Sequence, residues 1–306
     1  MLVSLRAIAV GVIVVLRSAS TAIASPARND NIAYSAIVVF GDSFSDDGNG
    51  AWVVSNHTWP ANPNYFGGRF SNGPVWIEYV ASNLSVPLLD FATGGATTSN
   101  ALVQGYTGPH SVIPVRSIDE QVVKFLQEGA PSNVSLEAPL FVLMGGANDP
   151  LFNLSITASQ SFHALISSTA QLASRYPSAH FLFLNYPDLA RIPMDFYVDE
   201  NTKQALHKYS TELDALYRES IPKNLESVRY VDVLPLFAEW DYYGAPEKFG
   251  FTPLGTYGSC LTGVYSETPG ITLCEDADEV VFWDEYHPTT HAHSWIAKLV
   301  LAELDH

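Results

Sequence analysis

Ala36–Asn49 reads AIVVFGDSFSDDGN. Five apolar, mostly β-branched residues run into Gly41 and stop. A short unbroken apolar run bounded by glycine fits a strand buried on both faces, as in a parallel sheet. The residues after it are small and polar: Asp42 and Ser43, then Phe44, Ser45, two aspartates, Gly48 and Asn49. Open α/β sheets bind ligands at the carboxyl ends of their strands. This one stretch therefore predicts a central strand and one edge of a site.

Outward from it the pattern repeats. Leu88–Phe91, Leu140–Met144, Phe181–Leu184 and Tyr230–Val233 are further strand-like runs. Helical stretches separate or follow them at Val75–Ser82, Ile118–Gln127, Thr157–Arg175, Asn201–Ser220 and Thr289–Leu304, with Pro74 and Pro288 where helix starts tolerate proline. The alternation predicts a three-layer α/β/α sandwich around a mostly parallel, five-stranded sheet, in one domain. Asn49–Gly73 and Ala238–Asp278 lack periodicity and are rich in aromatic residues, glycine and proline. Long loops in compact domains are usually functional or disordered, and their aromatics predict ordered loops near a site.

Composition narrows the function classes. The 306 residues are 47% hydrophobic and 12% aromatic, too apolar for a disordered chain. Fifteen Lys and Arg stand against 32 Asp and Glu, a net charge of -17 without any basic cluster. That excludes nucleic acid and an anionic membrane surface as partners and fits a soluble acidic protein. Arg6, the apolar run Ala7–Leu16 and the exit Ala22-Ile23-Ala24 have the form of a secretory leader, too short to span a membrane. Residues 1–24 are thus expected to be a signal peptide and 25–306 the exported, extracellular domain. Sequons at Asn56, Asn83, Asn133 and Asn153 become glycosylation sites in that compartment. Cys260 and Cys274 are expected to form a disulfide rather than two buried thiols. Closing a loop of about 15 residues stabilises by roughly 3 kcal/mol in the chain-entropy view.

The chemistry gathers at strand ends. Gly41-Asp42-Ser43 follows the first strand, Ala92-Thr93-Gly94-Gly95-Ala96-Thr97 the second, and Gly145-Gly146-Ala147-Asn148-Asp149 the third; Trp283-Asp284-Glu285-Tyr286-His287-Pro288 precedes the last helix. A hydroxyl, two loops of backbone amides, a side-chain amide and an Asp/His pair are the parts needed for acyl transfer through a serine ester.

These blocks, FGDSFSDDGN, a GGA element, GAND and DEYH in that order, resemble the SGNH/GDSL hydrolase superfamily, over about Ile37 to Leu299. GRFSNGPVWIEYVA, Gly68–Ala81, is similar to its secreted lipase/acylhydrolase branch. The resemblance implies an SGNH/flavodoxin-like fold and a serine esterase without a cofactor. Position by position it implies Ser43 as nucleophile, His287 as general base and Asp284 as its orienter. The Ser43 and Gly95 amides and the Asn148 carboxamide become oxyanion donors. Gly94 competes with Gly95, since the block aligns with either glycine. Hydrolysis is expected to fall at acid pH as the imidazole takes up a proton.

Other readings of the same residues remain. Asp42 reads as a local partner of its loop rather than a second catalytic carboxylate, and Trp283 and Tyr286 as packing residues. His287, His291 and His293 invite a metal, but Pro288 breaks the helical spacing that two ligands need, so none is expected. The substrate is an ester of a small molecule, lipid or glycan. A polysaccharide acetylesterase of the same superfamily is the alternative, and transfer to an alcohol stays open. The non-enzymatic alternative is an extracellular glycan-binding protein using Trp52, Trp59, Tyr65 and Trp76 as platforms.

Overall fold

The computed structural model of the chain describes residues 34–61, 63–221, 227–265 and 270–305. The expected leader, residues 1–24, lies outside them. Five strands, β1 (Ala36–Gly41), β2 (Leu88–Asp90), β3 (Pro139–Met144), β4 (His180–Leu184) and β5 (Val228–Val231), form one sheet in the order β2-β1-β3-β4-β5. Every pairing is parallel; Val38 sits opposite Leu89 on one side and Phe141 on the other. All six residues of β1 and of β3 are buried, which is why their sequences run apolar without alternation.

Helices cover both faces. They are α1 (Trp76–Leu84), α2 (Ile118–Glu128), α3 (Ala158–Arg175), α4 (Glu200–Ser220) and α5 (Thr290–Leu304). α1 packs against α5, while α2, α3 and α4 pack in succession. Their starts are written locally. The Thr157 hydroxyl accepts the Gln160 amide while the Gln160 side chain accepts that of Thr157, and Thr289 caps α5 by accepting from Ala292. The expected three-layer sandwich is the observed one.

Some boundaries differ. β5 begins at Val228 and ends at Val231, two residues ahead of the stretch its pattern suggests. There the Asp232 carboxylate accepts the Leu234 amide and the Asn185 carboxamide and turns the chain out of the sheet. β2 stops at Asp90, whose carboxylate accepts the Ala92 amide. A helix over Leu234–Trp240 overlaps the start of the second loop; with seven residues and proline in its first turn it carries no readable periodicity. That loop also holds a hairpin pairing Leu261–Thr262 with Thr272–Leu273, closed by the Cys260–Cys274 disulfide. Asn56, Asn83, Asn133 and Asn153 are all exposed. No helix of the described residues is long and apolar enough to cross a membrane.

The core contains one titratable anomaly. His293 on α5 is 1% exposed and lies edge-on to the Phe44 ring at 6.1 Å, and neither of its ring nitrogens has a hydrogen-bond partner among the described residues. Burial, reinforced by the charge of His287, pushes its pKa from 6.5 down to about 3. The folded protein holds this ring neutral while the unfolded chain protonates it near 6.5. Its contribution is therefore complete above that pH and is lost as pH falls toward 3, at about 1.4 kcal/mol per unit. His293→Leu is expected to remove this term. Its melting temperature should gain on that of the parent as pH is lowered from 7 to 5, whereas a constant difference would show that His293 does not titrate in this way.

Candidate active site

Strand order locates the site. The sheet reverses between β1 and β3, and a crevice opens at such a switch point beyond the carboxyl ends of the two strands. Ser43 follows β1 and Asn148 follows β3, so both border it. The turn after β1 is held by its own residues: the Phe44 amide donates to Asp42 Oδ1, and the Ser45 and Asp46 amides donate to the Asp42 carbonyl. Asp46 ties this turn to the glycine loop after β2. Its carboxylate accepts the amides of Gly48, Gly50 and Ala51, and that of Gly94 at 2.8 Å.

That last bond separates the two glycines. The Gly94 amide is engaged by Asp46, and a Cβ there would strike the Phe70 ring at 2.1 Å. Gly95 lines the crevice instead, with φ +87° and the Tyr106 carbonyl so near that a Cβ would lie 1.9 Å from its oxygen. Only glycine fits both the conformation and the approach. Asn148 opens a one-turn helix, Asn148–Phe152, and its Nδ2 donates to the Ala96 carbonyl at 2.9 Å and to Asp42 Oδ2 at 3.3 Å. The adjacent Asp149 is fully buried and fixes that helix by accepting the Thr98 amide and hydroxyl and the Ser161 hydroxyl.

His287 arrives from the other end of the chain. Its Nε2 lies 2.8 Å from Ser43 Oγ, across 244 residues of sequence. Its Nδ1 lies 2.8 and 2.9 Å from the two Asp284 oxygens. The three-residue spacing is what makes this possible: Asp284 Oδ1 also accepts the Tyr286 and His287 backbone amides at 2.8 Å, so one carboxylate grips the turn and the ring it carries. A carboxylate only accepts, so Nδ1 carries the hydrogen and Nε2 is left to accept from Ser43. Burial pushes the Asp284 carboxyl upward, but the charge and hydrogen bond of His287, with the hydrogen bonds from Tyr65 and the Tyr286 amide, hold it below the ordinary carboxylate value.

Ser43, Gly95, Asn148 and His287 share one cavity of about 380 Å³. Tyr106, Leu151, Phe152, Leu189 and Ile192 form an apolar wall, and Trp59, Phe70, Tyr265 and Tyr286 contribute rings. The arrangement thus joins a hydroxyl, an imidazole and a carboxylate in series, beside a glycine loop and a carboxamide.

Several expectations need correcting. Tyr286 packs against the core as expected and also lines the cavity, and Trp283 is buried beside Tyr65. Asp42 does bond its own loop, but it also receives the Tyr186 hydroxyl at 2.7 Å and faces Asn148. Burial pushes its pKa up to about 6 despite the bond from Tyr186. Tyr186 is absent from the expected set, though it lies just past β4, where the strand-end rule finds it. The proposed glycan platforms do not face solvent as a set: Trp76 is in the core with Nε1 donating to Ser45, and Tyr65 is 2% exposed with its hydroxyl on Asp284. The three histidines diverge, with His291 Nε2 2.7 Å from the Phe249 carbonyl and His293 in the core. Among the described residues no group of three His, Cys, Asp or Glu side chains is arranged to hold a metal ion.

Known proteins resemble this chain in sequence, and a solved structure resembles it in fold. Thermolabile hemolysin of Vibrio parahaemolyticus is 29% identical over 283 residues, covering 87% of this chain and 62% of that protein. Phosphatidylcholine-sterol acyltransferase of Aeromonas hydrophila is 26% identical over 319 residues, covering 89% and 90%. The chain therefore spans nearly all of the acyltransferase but less than two thirds of the hemolysin. Among solved structures, a carbohydrate esterase family 2 enzyme with its carbohydrate binding domain, from Corynascus thermopiles (Myceliophthora fergusii), matches 92% of this chain and 68% of that one with a TM-score of 0.50. At 16% identity it speaks for the fold alone. Residues 37–300 match the family described as GDSL-like Lipase/Acylhydrolase, and it is to this family that the chain belongs.

Proposed function

We propose that the protein is a secreted serine ester hydrolase. The single observation that carries this reading is the hydrogen-bonded series Ser43–His287–Asp284 opening into a cavity that also presents Gly95 and Asn148. Ser43 Oγ attacks the ester carbonyl as its proton passes to His287 Nε2. The negative charge on the former carbonyl oxygen is met by the Ser43 and Gly95 amides and the Asn148 carboxamide, which gives up its longer contact to Asp42 to do so. Collapse breaks the carbon–oxygen bond to the alcohol, and the imidazolium returns its proton to the leaving oxygen. Water then adds to the acyl-enzyme, its proton passes to Nε2, and the acid leaves as Ser43 Oγ regains a proton.

Export rests on the leader-like start, and the exposure of all four sequon asparagines and the Cys260–Cys274 disulfide support it. Those sequons are then glycosylated.

The apolar wall favours an acyl chain longer than acetyl. Each methylene that reaches it contributes roughly 0.8 kcal/mol, about fourfold in kcat/KM. Hydrolysis of p-nitrophenyl esters is expected to rise stepwise from acetate through butyrate to hexanoate. A maximum at acetate would favour the polysaccharide acetylesterase reading, and no turnover of any ester by folded protein would remove the hydrolase reading. The resemblance to an enzyme named an acyltransferase recommends adding an alcohol acceptor to the same assay.

A further inference from the structure

We propose that Tyr65 and Tyr265 are positioning residues for the Ser43 reaction, two phenols that hold the Asp284 carboxylate in the rotation and charge state that His287 requires. The proposal rests on the hydrolase reading above. Tyr65 comes from the aromatic loop after β1, and its hydroxyl donates to Asp284 Oδ2 at 2.7 Å across 219 residues of sequence. Tyr265 comes from the loop closed by the disulfide, and its hydroxyl donates to the same oxygen at 3.2 Å. The Tyr265 oxygen is also 3.4 Å from His287 Nδ1. The two long loops that carry no periodic signal thus converge on one carboxylate oxygen.

The division of donors gives this convergence its meaning. Asp284 Oδ1 is occupied by the two backbone amides of its own turn, which fix the main chain. Oδ2 takes no backbone amide from the turn, only the His287 Nδ1 contact at 2.9 Å, and the two phenols complete its donors. Donors on both oxygens prevent rotation of the carboxylate and make it a weaker base, so that it orients the imidazole without taking its proton. Burial first, then the neighbouring Asp284 charge, push both phenols well above the ordinary tyrosine value, so they remain protonated donors.

Each phenol is itself held in place. The Tyr65 ring is edge-on to Trp283 at 6.4 Å and to Phe70 at 6.3 Å, and Phe70 in turn lies against the His287 ring at 4.9 Å. The strand that leads to Tyr265 runs beside the segment carrying Asp284: the Cys260 and Leu261 amides donate to the Phe282 and Trp283 carbonyls, and the Gly263 amide donates to Glu285. The titratable groups facing the Asp284–His287 pair are Tyr65 and Tyr265 from the loops, Glu285 and Tyr286 from its own segment, Asp42 from the end of β1 and His293 from α5.

The test is Tyr65→Phe, which keeps the ring and removes the oxygen, measured for kcat, KM and the pH dependence of kcat/KM on a p-nitrophenyl ester. Loss of a hydrogen bond to a charged group predicts kcat lower by about tenfold or more, with KM little changed. The acid limb should move to higher pH by about half a unit, because a carboxylate that has lost a donor holds the imidazolium proton more strongly. Tyr265→Phe, read by the same acid limb, should shift it in the same direction by less, and it carries the test should Tyr65→Phe not fold. An unmoved acid limb with kcat within about twofold of the parent overturns the proposal, even if the melting temperature falls, since a structural role alone gives that result. A folded parent protein without esterase activity would instead overturn the reading on which the proposal rests.

Discussion

Ser43→Ala is expected to lower kcat/KM for a p-nitrophenyl ester by about 10⁴- to 10⁶-fold, the scale on which removal of a serine nucleophile acts in other hydrolases. Among the described residues, Ser43 Oγ is the cavity hydroxyl within hydrogen-bond distance of His287 Nε2, at 2.8 Å, so no neighbour is positioned to replace it. Ser43 is buried, and removing one oxygen opens little space. Folding should therefore survive, and circular dichroism with a melting curve would establish that it has. His287 keeps both bonds to Asp284 in the variant, so the imidazole stays aimed at the vacated point. Residual turnover would then arise from the remaining donors and from general-base attack by water. A folded Ser43→Ala protein retaining a tenth of the activity would mean that the ester is cleaved elsewhere or by another mechanism.

Asn148→Ala is expected to reduce kcat by about 100- to 1,000-fold with KM nearly unchanged, because in the proposed reaction the carboxamide acts on charge that exists only once the tetrahedral intermediate forms. The site also imposes a second, smaller effect. Asn148 Nδ2 donates to the Ala96 carbonyl at 2.9 Å, and removing a donor from a buried acceptor costs about 1–3 kcal/mol. The variant should melt lower than Ser43→Ala while keeping its substrate affinity. A kcat within tenfold of the parent, in folded protein, would leave the oxyanion to the Ser43 and Gly95 amides alone and remove Asn148 from the reaction.

Both variants address residues that are legible in the sequence alone, and the reason is chemical. Ser43 and the Asp284/His287 pair sit in turns that a carboxylate of the same few residues closes: Asp42 bonds the Phe44 amide, and Asp284 bonds the Tyr286 and His287 amides. Such short-range bonds leave a motif in a few consecutive residues. Tyr186 is marked only by its place just past β4, and Tyr265 by nothing in the Gly, Ser, Thr and Pro residues around it. Their hydroxyls find Asp42 and Asp284 only once β4 lies next to β3 and the disulfide-closed loop lies against residues 282–285. The helix Leu234–Trp240 escapes a sequence reading for the opposite reason, being too short for its period to register.

The choice between Gly94 and Gly95 marks the boundary most sharply. Both glycines are compatible with the block in sequence, and Asp46, 48 residues earlier, decides by engaging the Gly94 amide and leaving Gly95 against the cavity. By itself the sequence determined the elements and the reactive groups at their ends: five apolar runs, the helices between them, a serine, a carboxamide and an Asp-x-x-His turn. Periodicity, capping and turn formation act over a few residues and are written there. The order β2-β1-β3-β4-β5, the 2.8 Å contact across 244 residues and the two phenols on Asp284 were decided only in the tertiary structure. They depend on which strands pair and where the crossovers set the loops down, and packing of the whole chain settles that.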